Sequence, residues 1–250
     1  MALKIMSFNL RTDTEGDGIN YFPNRAGRIR DVLFAEKPDL IGFQESREMA
    51  RELLNEILGA DYVLLGCGRK EGYVGEGCSL AYRKDLFSLI RYETKFLSPT
   101  PDVPASRYED SDQSPCPRFY QHATLIVKGQ KAPLHFINTH LDHKGEQARM
   151  LEMEQILKDL APLSGTVILT GDMNALPDSD CIRLALTQGN LTDATASISG
   201  TFHGYGKKSF HKIDYIFTNA PSSDCYAVAD TPVNGVYISD HYPICAWIDA

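Results

Sequence analysis

The feature that most constrains this chain is a unit that occurs twice: a strand ending on a polar residue, an amphipathic helix, then a second strand ending on a carboxylate. In the first unit, residues 3–8 form a short apolar run that stops at Asn9, and residues 39–44 form another that stops at Glu45. Short apolar runs bounded in this way read as strands covered on both faces. Between them, residues 25–37 place Ala26, Ile29, Val32 and Leu33 at helical spacing, with Asn24 as cap and Pro38 as stop. In the second unit, residues 134–138 lead to Thr139-His140, residues 145–161 present Met150, Met153, Leu157 and Leu160 on one helix, and residues 166–170 lead to Gly171-Asp172. The pattern predicts a loose internal duplication. Two sheets, each covered by its own helices and packed face to face, bring four polar strand ends to one rim, where α/β proteins place their ligands.

The rest of the chain fits this plan. Met49, Leu53, Ile57 and Leu58 line a helix after Glu45 that ends at Gly59, and shorter strands follow at 62–65, 79–82, 87–90 and 119–127. A polar loop over 98–118 holds five prolines, a helix follows Pro177, and strands are predicted at 213–218, 226–229 and 242–248. No linker rich in Gly, Ser or Pro divides the 250 residues, so a single domain over 1–250 is expected, as a monomer. The net charge of −8 argues against a protein that holds nucleic acid mainly by neutralising backbone phosphates, although a metal ion can supply positive charge locally. Six cysteines without any Cys-x-x-Cys spacing read as buried thiols. Met1 leads straight into a core strand with no secretory leader, and the apolar runs are too short to span a bilayer, so a cytoplasmic protein is expected.

The residues with chemistry stand at the strand ends. Glu45 alone reads as a cap or a solvated charge. Gly171-Asp172-Met173-Asn174 puts an acid and an amide two residues apart, on one side of the chain, with Gly171 allowing a close backbone approach; the plainer reading is an Asx turn. Ser239-Asp240-His241 precedes the last strand and Asp214 begins another. A His beside an Asp in sequence means little, but a second Asp able to orient that His from a neighbouring strand is catalytic in logic.

Taken in order, Ser7-Phe8-Asn9, Gln44-Glu45, Thr139-His140-Leu141, Gly171-Asp172-Met173-Asn174, Ile213-Asp214-Tyr215 and Ser239-Asp240-His241 resemble the motif set of the endonuclease/exonuclease/phosphatase superfamily, over almost the whole chain. That resemblance implies a four-layered α/β sandwich of two mixed β-sheets flanked by helices, and a hydrolase that cleaves a phosphodiester or phosphomonoester by metal-assisted attack of water. Glu45 is implied to bind Mg²⁺ or Mn²⁺, with Asn9 and Asp240 in or near the shell. Asp172 and Asn174 are implied to position water and a phosphate oxygen, Asp214 to hold His241 in its working tautomer, and His140 to donate to a phosphate oxygen. Whether Asp172 or His241 takes the proton from water stays open at this level. In the deoxyribonuclease-like members a carboxylate pairs with the histidine matching His140, which implies Glu76 for that role; Gly75-Glu76-Gly77 reads equally well as a loop tip. The second histidine of His140-Leu141-Asp142-His143 is typical of a bacterial branch of uncertain substrate. Arg118, His143 and Lys207 complete the candidates as substrate contacts.

Other readings are weaker. A two-metal phosphoesterase of the calcineurin type needs an early Asp-x-His and a Gly-Asn-His-Asp or Gly-Asn-His-Glu motif, and neither occurs. A zinc site on His140-x-x-His143 lacks helical i, i+4 geometry and a clear third ligand. A binding module that kept the fold and lost the chemistry would have shed at least one of these groups. The substrate is either a phosphorylated small molecule or a nucleic acid. The loops at 69–73, 98–118 and 203–212 are expected to surround the mouth. Asp102, Glu109, Asp110 and Asp112 outweigh Arg107 and Arg118 in the second of these, while Lys207, Lys208 and Lys212, near His211, form a small basic cluster in the third. This balance favours a small or locally recognised phosphate ester over long duplex DNA. Tyr73, Phe119, Phe202 and Tyr205 are read either as walls of such a pocket or as plain core.

Overall fold

The computed structural model describes residues 1–207 and 210–250. Its first half runs β1 (Ala2–Asn9), α1 (Phe22–Glu36), β2 (Leu40–Ser46), α2 (Glu48–Leu58), β3 (Tyr62–Gly68), β4 (Gly77–Arg83), β5 (Phe87–Phe96) and β6 (Phe119–Val127). The second half runs β7 (Pro133–His140), α3 (Glu146–Leu160), β8 (Thr166–Asp172), α4 (Asp180–Thr187), β9 (Thr192–Asp193), β10 (Asp214–Thr218), β11 (Ser222–Ala227) and β12 (Ile244–Asp249). One sheet has the order β11-β12-β1-β2-β4-β3 and the other β5-β6-β7-β8-β10-β9. Position by position the two sheets match: a parallel pair, β1 with β2 or β7 with β8, is flanked on each side by two antiparallel strands. The duplication read from the sequence is therefore one of topology.

Alternation along the strands makes the layers. One face of each sheet feeds a shared core of Leu3, Ile5, Leu40, Leu80, Leu125, Phe136, Ile168 and Ile216. The opposite face of the first sheet packs Met6, Phe8, Ile41 and Phe43 against Ile29 and Leu33 of α1 and Leu54 of α2. On the second sheet, Ile137, Leu169 and Tyr215 pack against Met153 and Ile156 of α3 and Ile182 of α4. The result is the expected four-layered sandwich of two mixed sheets flanked by helices. Among the described residues no helix is long and apolar enough to cross a membrane.

Element ends depart from the sequence reading for local reasons. Helix α1 begins at Phe22 because Pro23 suits its first turn, so Asn24 lies inside the helix and its amide donates to the Ile19 carbonyl at 3.1 Å. Strands β1, β2, β7 and β8 run on to include Asn9, Glu45, His140 and Asp172 as terminal or near-terminal residues. The register of β2 against β4 slips between Phe43 and Ser46, and Glu45 within the slip has a positive φ of 59°. Such a bulge re-aims a side chain at a strand end. All six cysteines are free thiols; Cys78, Cys181 and Cys245 are buried and the other three half-buried.

A polar seam joins the sheets beneath the rim. The Asn138 amide nitrogen donates to the carbonyls of Phe43 (2.8 Å) and Ser79 (2.9 Å), while its oxygen accepts from Gln44 (2.7 Å) and Thr170 (3.1 Å). Gly42 makes this closeness possible, since a Cβ there would lie 2.2 Å from Thr170 Oγ1 and 2.6 Å from Asn138 Oδ1. Asn138→Leu keeps the volume but strands these buried partners, and should lower unfolding stability by about 3 kcal/mol in denaturant titrations. An unchanged denaturation midpoint would show the seam to be dispensable.

Candidate functional site

The strand ends meet as predicted. Asn9, at the end of β1, donates through its amide to Asp172 Oδ2 at 2.9 Å and to Glu45 Oε1 at 3.2 Å, tying the acids of the two sheets together. Glu45 Oε2 accepts from the Thr12 backbone N–H at 2.8 Å. Burial pushes the Glu45 carboxyl up, but the Thr12 amide, Arg11 and His241 outweigh it and hold the group below the usual carboxylate range.

Asp172 is buried at the end of β8, where Gly171 lets the chain pass close to Thr139, whose carbonyl oxygen would be 2.5 Å from an added Cβ. Its Oδ1 accepts from the Asn174 N–H at 2.9 Å, and the Asn174 side chain, on a residue with φ of 48°, donates to the Leu141 carbonyl at 3.0 Å. Asp172 faces Asp214 across the β8/β10 pair, and burial together with Asp214 pushes its carboxyl up to about 7. Asp214 Oδ2 is 2.8 Å from His241 Nδ1. Burial opposes charging of His241, but Asp214, Asp240 and Asp172 prevail and raise its pKa to about 10. The ring packs against Phe202 at a tilt of 55° with centroids 4.9 Å apart, and its Nε2 lies 3.8 Å from both Asp172 Oδ2 and Asp240 Oδ1. Asp240 is raised by burial and by Glu45, with Arg11 Nε 3.8 Å away. His140 sits 3.6 Å from Asp172; burial, Arg118 and Arg69 press its pKa well down, so the ring is neutral.

These groups open on a cavity of about 550 Å³ lined by Glu45, His140, Asp172, Asn174, Asp240 and His241, with Arg11, Arg69, Glu76, Arg118, His143, Phe202 and Tyr205. Asn9 and Asp214 stand just behind, both buried, Asn9 bonded to Asp172 and Glu45 and Asp214 to His241. Where the family pattern implies a Glu76–His140 pair, Glu76 pairs instead with Arg69 at 2.8 Å while facing the same cavity. Arg118 is buried, with its Nη2 3.0 Å from His143 Nδ1 and its Nε 3.6 Å from Asp142.

Of the expected basic cluster, the two described lysines, Lys207 and Lys212, do not reach the site. Lys212 is buried, bonded to Asp193 at 2.5 Å and to the Thr195 carbonyl at 2.6 Å, so it is part of the framework. Lys207 is exposed and lines no part of the cavity, and Lys208 lies outside the described residues. The four acids of the 98–118 loop stay out of the cavity lining: Asp102 pairs with Lys95, Glu109 with Arg107, Asp112 accepts from Gln147 and Ala148 at the start of α3, and Asp110 is exposed. From that loop the cavity takes Cys116 and Arg118. Of the four aromatic candidates Phe202 and Tyr205 line the wall, Phe119 is core, and Tyr73 is exposed beside Phe96. Arg69 lies in the 69–73 loop expected at the mouth, whereas Arg11 and Thr12 were missed by sequence reasoning and had one signal, their place directly after the Asn9 strand end.

Two duplicated sheets whose common rim gathers acids, amides and histidines around one cavity define the class: an α/β sandwich with its chemistry at converging strand ends. The chain belongs to the Endonuclease/Exonuclease/phosphatase family, whose sequence model matches residues 6–241. It is similar to an endonuclease/exonuclease/phosphatase from Bacteroides vulgatus, with a TM-score of 0.92, 26% identity, and coverage of 100% of this chain and 99% of that one. A mannosyl-6-phosphatase of Bacteroides thetaiotaomicron superposes with a TM-score of 0.85 at 23% identity, covering 99% of this chain and 100% of that one. TDP2 of D. rerio, solved with a single-strand DNA product, superposes at 0.77 with 19% identity, covering 100% and 99%. At these identities the last two share the fold.

Proposed function

We propose that this chain is a single-domain, Mg²⁺- or Mn²⁺-dependent phosphoesterase that hydrolyses a small or locally recognised phosphate ester. The observation that carries the reading is the convergence of Glu45, Asp240, Asp172, His140 and His241 on one cavity, with Asp214 directly behind His241. The donor set fits a hard divalent cation. Glu45 and Asp240 offer carboxylate oxygens and Asn9 an amide oxygen that accepts the Arg11 N–H at 2.9 Å, and Glu45 pushes the carboxyls of Asp240 and Asp172 up, a repulsion that a cation offsets. Asp172, Asp214 and His241 also group their ligand atoms within 4.8 Å. There, however, the His241–Asp214 bond already uses the facing atoms, so Glu45, Asp240 and Asn9 are the better holders. When bound, the ion supplies charge stabilisation to the phosphoryl oxygens and the leaving oxygen.

The protein's own groups divide the remaining work. His241, raised to about 10 by the acids around it, is better suited to steadying or protonating an oxygen of the ester than to taking a proton from water. Asp172, at about 7 and fixed by Asn9 and Asn174, is the acceptor matched to that proton. Neutral His140 donates to a phosphate oxygen, and Arg118 with His143 holds the rest of the substrate's charge.

The volume of about 550 Å³ is that of a pocket for a small ligand. A phosphatase and a protein bound to a DNA product share the fold, so the deciding experiment compares both substrate classes. Purified protein should turn over small phosphate esters and sugar phosphates in Mg²⁺ faster than it nicks plasmid, with a shallow response to salt. Rapid nicking of supercoiled plasmid beside inactivity on the small-molecule panel would restore a nuclease reading.

A further inference from the structure

The lining of the phosphate cavity falls into two groups of side chains. Arg69, Arg118 and His140 border one recess with Glu76, Arg118 carries His143, and this group supplies donors for phosphoryl oxygens. The second group is Arg11, Asp17 and Tyr205, set beside Asp240. Arg11 grips Asp17 with two parallel bonds, Nε to Oδ2 at 2.9 Å and Nη2 to Oδ1 at 3.0 Å, and the Tyr205 hydroxyl donates to Oδ2 at 3.0 Å. No step of the hydrolysis uses this second group.

Its members are held firmly in place. The fully buried Arg25 donates to the carbonyls of Leu10, Arg11 and Ile238, and so fixes the main chain that carries Arg11. Tyr205 stands between Gly204 and Gly206, and all three have a positive φ, of 55°, 58° and 72° in chain order. That conformation is ordinary for glycine and costly for an aromatic residue. A side chain kept there against backbone strain points to a role for the side chain. The same loop hangs on Asp240, whose carbonyl accepts the N–H groups of His203 at 3.0 Å and Gly204 at 3.1 Å, so Tyr205 is tied to the acid on the metal side of the cavity.

Charge and hydrogen-bonding capacity say what this wall can take. Burial pushes the Asp17 carboxyl up, but Arg11 and Tyr205 outweigh it and keep the acid ionised, so the pair cancels its own charge. Glu45 and Asp240 act on Arg11 as well, and an anionic group arriving here meets a surplus of negative charge. Bonding capacity is left over all the same. Among the described residues nothing bonds Arg11 Nη1, whose N–H groups stay available, while Asp17 Oδ1 and the Tyr205 oxygen keep lone pairs. Donors and acceptors side by side, next to an aromatic ring and with no net positive charge, match vicinal hydroxyls, each of which both donates and accepts. We propose that Arg11, Asp17 and Tyr205 form the subsite for the alcohol part of the ester, and that this part is an uncharged polyhydroxylated ring, a sugar, and not a chain that continues into further phosphates. The inference rests on the phosphoesterase reading and adds to it the substrate class and the residues that select it.

Hexose phosphates, a hexose bisphosphate and para-nitrophenyl phosphate, assayed side by side in Mg²⁺ on the whole protein, test the subsite. The aryl ester reports the hydrolytic centre alone, since it has no hydroxyls to bind. Deoxy analogues of the best hexose phosphate should lose about 10-fold or more in kcat/KM wherever the missing hydroxyl bonded the wall, a result that needs no variant. Tyr205→Phe and Asp17→Asn should each lower the ratio of hexose to aryl kcat/KM by about 10-fold. Because Asp17→Asn uncovers the Arg11 charge, it should also raise the relative rate on the bisphosphate. Turnover of the aryl ester without any hexose phosphate, or deoxy analogues as good as the parent sugar with the ratio unmoved in both variants, would overturn the subsite and leave the phosphoesterase reading standing. Absence of Mg²⁺-dependent turnover on every ester would remove that reading, and the subsite with it.

Discussion

His241→Ala is expected to lower kcat by roughly 10²-fold or more on any ester the protein hydrolyses, the scale of a lost acid–base or charge-orienting group. The imidazole is placed by the Asp214 bond at 2.8 Å and the Phe202 ring at 4.9 Å, while the Ser239 hydroxyl accepts the His241 backbone N–H at 3.2 Å and fixes the main chain that carries it. Its charge is sustained by acids on three sides. Removing the ring deletes a cationic group from the cavity wall and leaves Asp172, Asp214 and Asp240 to repel one another. Asp214→Asn should act in the same direction but less severely, because the ring keeps a hydrogen-bond partner while losing the charge that holds it protonated. Steady-state kinetics on the best small substrate would read both effects, with circular dichroism confirming the fold. Near-normal turnover in His241→Ala on every active substrate would remove the residue from the mechanism.

What the sequence made legible follows the physics of strand ends. Asn9, Glu45, His140 and Asp172 each interrupt an apolar run, and a polar residue closing a doubly covered strand must emerge at a rim, so their convergence could be read without coordinates. The duplication was legible for the same reason. Pairing between side chains was harder. The Arg69–Glu76 bond joins the two arms of a loop between β3 and β4, and nothing in the one-dimensional pattern separates it from a Glu76–His140 contact. Lys212 illustrates the opposite error: beside Lys207 and Lys208 it reads as part of a phosphate-binding cluster, but the strand it precedes carries it inward to Asp193. Loop charge misled in the same way. Asp112 counts as a repelling charge in sequence, yet in space it accepts from the first amides of α3, where a helix N-terminus favours an acid.

Removing divalent metal should abolish hydrolysis, and Mg²⁺ or Mn²⁺ should restore it. Among the acids at the rim, Glu45 is the one to test first. It sits in a bulge with a positive φ that aims it at the cavity, and its carboxyl stays ionised while Asp172 and Asp240 are raised. A residue in that strained conformation is held there for its side chain. Glu45→Gln preserves size and a partner for the Thr12 N–H but removes the charge. Because outer-shell changes alone typically weaken a metal by about 10- to 100-fold, loss of a direct ligand should raise the Mg²⁺ needed for half-maximal activity by about 10²-fold or more. Folding stability should hardly fall, since the substitution also relieves the repulsion that Glu45 imposes on Asp240 and Asp172. A Mg²⁺ titration of activity beside a thermal melt separates the two effects. Full activity in chelator would exclude the metal, and an unaltered Mg²⁺ requirement in Glu45→Gln would move the ion to the Asp172, Asp214 and His241 grouping.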